Sequence, residues 1–181
     1  MTNPVLDAIY ERRSIRQYTA DPVTDEQLAL ILKAAQESPS ARNGQPWHFS
    51  VVTNQELIKE INDAACAELG KQGGFYANVR DIFYQAPVVI FISAETGANN
   101  WVTLDCGIAS QSIALAAHSI GLGTVILGLP AAAFATEKAA EFNKKLGFPE
   151  GSEFSVAIAL GKPAASKEPH PINDGHVSFV K

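Results

Sequence analysis

The apolar stretch 101–129 limits the folds that this sequence can adopt. From Trp101 to Ile120 the residues are apolar on most faces of a helix and rich in Ala, Ser and Gly. A helix of that kind lies inside a domain and is packed on two or more sides. Gln111 and His118 lie within the stretch, which breaks at Gly121-Leu-Gly123. A buried helix followed by a strand therefore fits better than a membrane span.

Helical and strand-like patterns around this stretch indicate an α+β domain with a mixed central sheet of four or five strands, flanked by helices. Thr24 and Gln27 form a capping-box pair at the start of the second helix. Val177–Val180 alternates and could add an edge strand, on this chain or on a partner subunit. The predicted helices are Pro4–Arg12, one from Thr24, one from Asn54, Trp101–Ile120 and Ala135–Leu146, and the predicted strands are Phe49–Thr53, Pro87–Ser93, Gly123–Gly128 and Ser155–Leu160.

Length and composition indicate one domain over residues 1–181. The chain has 181 residues, of which 46% are hydrophobic and 18% are charged, an ordinary globular balance. Its formal net charge of −5 argues against binding nucleic acid. Cys66 and Cys106 lack metal-ligand spacing and fit reduced thiols. We therefore expect no metal site. The N-terminus has no signal pattern, so we expect a cytoplasmic protein without a membrane segment.

The segment Pro39–Phe49 carries the most specific pattern in the chain, Pro-Ser-Ala-Arg-Asn-Gly-Gln-Pro-Trp-His-Phe. It follows a helical pattern and leads into the predicted strand Phe49–Thr53. Amide and hydroxyl groups beside a rigid Pro-Trp corner suit a flat polar heterocycle, because they can meet the edges of its ring. For Trp47 and His48 we expect packing roles rather than catalysis.

A second informative segment is Arg12-Arg13-Ser14-Ile15-Arg16, which follows the first predicted helix. Its three guanidinium groups and one hydroxyl can surround a phosphate, because the planar arginine fork binds two phosphate oxygens at once. The alternative is a solvated basic helix end that interacts with the negative pole of the helix dipole. Taken alone, the cluster leaves both interpretations open.

Together these segments resemble the nitroreductase family of FMN-dependent oxidoreductases. Pro39–Trp47 matches the family's Pro-Ser-x-x-Asn-x-Gln-Pro-Trp segment at every specified position, and Arg12–Arg16 is similar to its Arg-x-Ser-x-Arg/Lys segment. Gly121–Thr124 resembles the family's Gly-Leu-Gly-Thr strand. The resemblance covers nearly the whole chain in family order. It implies a short member with a three-layer α+β fold, an intertwined homodimer and FMN sites at the interface.

The resemblance also implies which residues bind FMN. Arg12 and Ser14 would meet the phosphate, and Arg16 would lie near the pyrimidine edge, where it favours the anionic reduced flavin. The loop 39–45 would contact the flavin of the other subunit, and Leu127-Gly128 would bring a backbone N–H near flavin N5. No side chain need act as a catalyst. The implied cofactor-binding residues are Arg12, Arg13, Ser14, Arg16, Pro39, Ser40, Ala41, Asn43, Gln45, Asn78, Leu127, Gly128 and Lys167.

Three positions match the family pattern weakly or depart from it. Asn78 is either a ligand of the flavin ring edge or a helix cap. Asp81 stands where many relatives have a basic residue, which removes one positive neighbour of the flavin. After the turn Gly161–Pro163, the basic residue that returns to the phosphate is expected within 167–170, and Lys167 is our candidate.

The implied activity is that of an FMN-dependent NAD(P)H oxidoreductase. NADH or NADPH would pass hydride to flavin N5, and a nitroaromatic, quinone or similar flat acceptor would then take the electrons in a ping-pong cycle. Three alternatives stay open: a same-fold flavoenzyme for dehalogenation, enoate reduction or flavin breakdown, a non-catalytic FMN-binding protein, and a ligand-binding module without flavin. The sequence shows no recognisable motif for the ribose phosphate of the donor, so it does not distinguish NADH from NADPH.

Overall fold

A computed structural model describes residues 3–95, 97 and 101–180, and these residues form six α-helices and four β-strands. The helices are α1 (Pro4–Glu11), α2 (Asp25–Gln36), α3 (Gln55–Lys71), α4 (Val102–Ser119), α5 (Ala131–Phe134) and α6 (Ala139–Leu146). The strands are β1 (Trp47–Val52), β2 (Val88–Glu95), β3 (Gly123–Leu127) and β4 (Ser152–Gly161).

Within the described residues, the four strands form one sheet in the order β1-β2-β4-β3. All three pairings between neighbouring strands are antiparallel. The parallel part of the expected mixed sheet is therefore limited to one isolated bridge, between Ser14 and Thr124. That bridge attaches the segment after α1 to the edge strand β3.

The central strand β2 explains why the fold has three layers. Its side chains alternate between the two faces of the sheet, as in any strand. Val89 and Phe91 are buried against a layer formed by α3, α5 and α6. Ile90 and Ile92 are buried against α2 and α4 on the opposite face. The predicted strand Pro87–Ser93 is thus confirmed as β2, which is buried on both faces.

Helix α4 lies in the interior layer that its composition predicted. It contacts α2 on one side and the sheet on another. Ala109, Ile113 and Ala117 are fully buried there. Small side chains at two of these three positions let α4 approach its neighbours closely.

The predicted start of the helix Ala135–Leu146 is wrong, because α6 begins at Ala139 and a separate helix, α5, ends at Phe134. The hydroxyl of Thr136 donates to the carbonyl of Ala133 (2.7 Å) and accepts the N–H of Lys138 (3.2 Å). This local bonding ends α5 and turns the chain into α6, since threonine competes with the helix for backbone partners. The predicted end at Gly147 is confirmed, with a φ of 68° that suits glycine.

The C-terminal segment runs extended after β4 and turns back along the N-terminal segment. Thr19 N–H donates to Lys162 O and Ala164 N–H donates to Gln17 O, both at 2.9 Å. These bonds bring the following residues toward α1. In the described part of the tail, Val177–Val180 forms no strand, and its pairing with a partner subunit stays a prediction.

Candidate functional site

The arginine-rich segment is fixed to the edge of the sheet by its isoleucine. Ile15 is buried and its N–H donates to Thr124 O at 2.9 Å. A Cβ at position 123 would lie 2.9 Å from Ile15 Cγ1, so glycine at 123 is needed for this close approach. The Gly121–Thr124 motif therefore has a structural role: it holds Arg12, Arg13 and Ser14 at one end of β3.

Two adjoining clefts share Arg12, Arg13 and Lys167 in their walls. The smaller cleft has a volume of about 290 Å³ and extends toward β3. The larger has a volume of about 500 Å³ and is also lined by Ser14 and His170. Residues that are about 155 positions apart in the sequence thus meet, because the tail turns back along the N-terminal segment.

The positive charge of this cluster is only weakly compensated. Partial burial, and secondarily the charge of Arg13, lowers the pKa of the Arg12 guanidinium. None of the ion pairs between described residues involves Arg12, Arg13 or Lys167. Glu11 and Glu168 also line the clefts, and Glu11 lies 4.0 Å from His118. An anion in these clefts would meet an excess of unpaired cations.

Arg13 lines the clefts, and its guanidinium also bonds to carbonyl groups at the end of α1. Its Nη1 donates to Tyr10 O at 2.6 Å and to Arg12 O at 2.9 Å, which satisfies carbonyls at the end of α1. Its Nε is buried and has no partner in the described chain. A buried N–H without a partner is costly, so this group is an unsatisfied donor within the described chain.

Arg16 lies apart from the other two arginines. Its Cζ lies 5.8 Å from the centroid of the Tyr84 ring, within the range of a cation–π contact. The expected cluster of three guanidinium groups around one phosphate is therefore two guanidinium groups and the Lys167 ammonium. Tyr84 was not among the sequence candidates, because nothing local marks a contact across 68 residues.

The loop 39–45 packs against α4 and has an unusual backbone. The Ala41 N–H donates to Asp105 Oδ1 and the Gln45 N–H donates to Ser40 Oγ, both at 3.0 Å. Arg42 and Asn43 have φ of 56°, and Gln45 has φ of 45°. Three non-glycine residues in the left-handed region store strain that surrounding contacts must hold in place. Such strain is typical of functional sites.

Asp105 is the functional candidate that the sequence analysis missed. It is 2% exposed on α4, and its Oδ2 has no partner among the described residues. The acidic residue inside the apolar pattern 101–120 could have been recognised as a candidate, because a buried carboxylate is costly unless it is paired or hydrogen-bonded. A second bond, between Ser38 Oγ and Ser112 Oγ at 2.7 Å, also ties the start of the loop to α4.

The remaining sequence candidates lie in two other places. Asn78 is exposed at the end of the 3-10 turn Gly74–Asn78. The next element is β2, so the helix-cap interpretation has no helix to act on. Leu127 is buried at the end of β3, and at Gly128 no described group approaches the Cβ position within 4 Å. The described walls of the arginine clefts include none of these residues and none of the loop 39–45.

No group of three or more His, Cys, Asp or Glu side chains that could hold a metal ion occurs in the described ranges. Among residues 3–95 and 101–180, no helix combines the length and apolarity that a bilayer span requires. The clefts offer two guanidinium groups, an ammonium and a hydroxyl, which suit a ligand that carries a phosphate. The separate loop 39–45 carries the amide side chains of Asn43 and Gln45, which suit a polar ring.

Comparison with known proteins identifies relatives over most of the chain. The family model described as "Nitroreductase family" matches residues 9–162. A Methanothermobacter thermautotrophicus protein, provisionally named NADH dehydrogenase/NAD(P)H nitroreductase, is 42% identical over 166 residues, which cover 88% of this chain and 78% of that protein. The NADPH-flavin oxidoreductase of Vibrio harveyi is 30% identical over 97% of this chain and 72% of its own length.

A solved structure gives the same result for the fold. The crystal structure of a nitroreductase with bound FMN from Desulfitobacterium hafniense superposes with a TM-score of 0.93. It shares 35% sequence identity with this chain, and the match covers 100% of both chains. The short length and the three-layer architecture of the present chain therefore have a counterpart that was crystallised with FMN.

Proposed function

The chain belongs to the nitroreductase family, and on this premise we propose that it oxidises NADH or NADPH and reduces a flat conjugated acceptor, such as a nitroaromatic or a quinone, in a ping-pong cycle. It is an FMN-dependent oxidoreductase. Bound FMN supplies the hydride acceptor, so the side chains of this protein bind and orient rather than react.

One observation carries this proposal: Arg12, Arg13 and Lys167 converge on adjoining clefts and form no ion pair with a described carboxylate. This arrangement fits the phosphate of FMN, since charge-assisted bonds from a guanidinium fork are the strongest phosphate contacts available to a protein. The Ser14 hydroxyl lines the same wall and can donate to a phosphate oxygen.

The loop 39–45 would hold the ring of the cofactor. The Asp105 carboxylate fixes Ala41 and the Ser40 hydroxyl fixes Gln45, so the loop keeps its strained shape before the cofactor binds. Preorganised polar groups of this kind orient a ligand without losing further conformational entropy. We propose Pro39, Ser40, Ala41, Asn43 and Gln45 as ring contacts, together with Arg16, Asn78, Leu127 and Gly128.

These ring contacts and the phosphate clefts would be joined in a homodimer. No residue of α1 is buried within the described chain, and Val5 and Tyr10 are 66% and 65% exposed. In the tail, Ile172 and Phe179 are both 87% exposed. Apolar groups in such number favour a protein interface. Sedimentation of the FMN-loaded protein at micromolar concentration should give a dimer, and a predominant monomer would contradict the shared site.

Steady-state kinetics test the proposed reaction. Initial rates of NADPH and NADH oxidation should be measured against a nitroarene and a quinone over a grid of donor and acceptor concentrations. Parallel double-reciprocal lines are expected, because the oxidised donor leaves before the acceptor binds. Intersecting lines would contradict the ping-pong cycle. Turnover restricted to halogenated or enoate acceptors would favour a same-fold enzyme with another reaction.

Replacing Lys167 with alanine should raise the Kd for FMN about 3- to 10-fold, because solvent screening at an exposed site reduces the roughly 1.5–3 kcal/mol of a hydrogen bond to a charged group by about half. Quenching of flavin fluorescence measures this Kd. Lys162 is the matched control, since it lies in the same tail but pairs with Asp21 at 2.8 Å. Lys162→Ala should change the Kd less than twofold. Equal effects of Lys167→Ala and Lys162→Ala on the Kd would show that Lys167 does not bind the phosphate.

A further inference from the structure

The side chain of Arg16 lies beside the ring of Tyr84. Its Cζ lies 5.8 Å from the ring centroid. Burial raises the pKa of the nearby Tyr18 hydroxyl, and the charge of Arg16 opposes this rise. The Arg16 Nη1 also donates a long hydrogen bond to Ser14 O, at 3.4 Å. None of the ion pairs between described residues includes Arg16. The direction in which this exposed guanidinium points therefore depends on the aromatic ring.

The backbone beside Arg16 is fixed independently of its side chain. The Tyr18 hydroxyl donates to Ile15 O at 2.8 Å and reaches Ala159 O on β4 at 3.3 Å. Ile15 is itself held on β3 by the bond from its N–H to Thr124 O. Because these bonds anchor the main chain on β3 and β4, Arg16 can change the position of its guanidinium mainly by rotating its side chain.

Tyr84 is held in a conformation that a tyrosine rarely adopts. Tyr84 and Gln85 have φ of 57° and 55°, in the left-handed region that bulky residues avoid. The Asp81 carboxylate accepts the N–H groups of Phe83 (2.9 Å) and Tyr84 (2.8 Å). Phe83 is 1% exposed and anchors the loop in the core. Strain that the surrounding contacts maintain points to a role for the conformation itself.

A second anchor joins the same loop to α3. Asn62 is 8% exposed, and its Oδ1 accepts the Ile82 N–H at 2.9 Å while its Nδ2 donates to Arg80 O at 3.0 Å. The Asp81 carboxylate thus stabilises the loop, at the position where the resemblance places a basic residue in many relatives. Arg16 is then the cation whose placement this loop controls.

We propose that Tyr84 is a positioning residue: its ring holds the Arg16 guanidinium toward the pyrimidine edge of the bound cofactor and thereby makes reduced FMN bind more tightly than oxidised FMN. This inference rests on the proposed function, because it takes Arg16 to be a cofactor contact. A fixed positive charge stabilises the anionic reduced ring, whereas a mobile, solvated guanidinium is screened by water.

The contact itself can be tested without FMN. The Nε–H resonance of Arg16 in apo-protein should show a ring-current shift, and Arg16→Lys assigns the resonance by removing it. Tyr84→Leu keeps a γ-branched apolar side chain but has no π face, so the shift should disappear. Tyr84→Phe keeps the ring, so the shift should persist. An unchanged resonance in Tyr84→Leu would overturn the stacking.

The effect on the cofactor is measured as the ratio of the Kd for oxidised FMN to the Kd for reduced FMN. Tyr84→Leu should lower this ratio about tenfold, which corresponds to a fall of about 30 mV in the two-electron potential of bound FMN. Tyr84→Phe should restore it. In the Arg16→Ala background, Tyr84→Leu should add nothing, because both changes remove the same interaction.

The outcomes separate this inference from the proposed function. Unmodified protein that binds FMN and is reduced by NAD(P)H, with an unchanged ratio in Tyr84→Leu, would overturn the role of Tyr84 alone. Additive effects of the two changes would show that Tyr84 does not act through Arg16, and would also overturn it. Unmodified protein that binds no FMN would refute the proposed function and the cofactor part of this inference, whatever the apo-protein spectrum shows.

Discussion

Replacing Arg12 with alanine should weaken FMN binding about 100-fold, equivalent to about 2.8 kcal/mol. Arg12 lines both clefts that Lys167 lines, and it has no ion pair with a described carboxylate. On the proposed site, the change would remove a bidentate, partly desolvated phosphate contact, and hydrogen bonds to charged groups contribute about 1.5–3 kcal/mol each. The Kd from flavin fluorescence quenching, at low and high salt, measures the loss.

Two further variants make this result specific. Arg12→Lys keeps the charge and loses the planar fork, so its Kd should lie between those of the unmodified protein and Arg12→Ala. Lys59→Ala removes an exposed cation on α3 that pairs with Asp63, and should leave the Kd unchanged. Arg12→Ala with a Kd within threefold of the unmodified protein would place the phosphate elsewhere.

Replacing Gly123 with alanine should lower both the stability of the protein and its affinity for FMN. The added Cβ would lie 2.9 Å from Ile15 Cγ1 and 3.0 Å from Ile15 Cβ, so the segment that follows α1 must move away from β3. Overpacking of this kind costs about 1–3 kcal/mol of unfolding free energy. Since Arg12 and Ser14 lie on the displaced segment, we expect a roughly tenfold higher Kd for FMN.

Gly70 provides the matched glycine-to-alanine control for this experiment. It lies near the end of α3, where no described atom approaches the Cβ position within 4 Å. Gly70→Ala should raise the unfolding free energy by about 0.5–1 kcal/mol, because alanine favours the helix. Chemical denaturation measures both variants. Equal stability of Gly123→Ala and the unmodified protein would contradict the role assigned to Gly123.

The elements that were predicted correctly are those that local sequence determines. The Thr24–Gln27 capping box forms as expected, and Gly147 ends α6 with a positive φ. The start of β4 was missed, because Ser152–Phe154 has no apolar run and is held by pairing with Ser93–Glu95 on β2. Pairing across about 60 residues is not visible in a local pattern.

The parts of the candidate site that carry a family motif could be predicted from the sequence. The parts that depend on contacts between distant residues could not. The meeting of Arg12 with Lys167 was expected from the resemblance, and the fold of the tail accounts for it. The bond from Ala41 to Asp105 crosses 64 residues, so the contact itself could not be predicted, although an acidic residue within the apolar pattern was visible. The Arg16–Tyr84 contact depends on a strained turn that no propensity predicts.

The most direct test of the account is an anaerobic absorbance titration of the purified protein with FMN, followed by NADPH and then NADH. We predict that stoichiometric FMN bands appear with the protein and bleach on addition of at least one of the two donors. Bands that persist with both donors would contradict the proposed reductase and leave an FMN-binding protein. Protein that stays colourless after FMN is added would contradict the cofactor site itself.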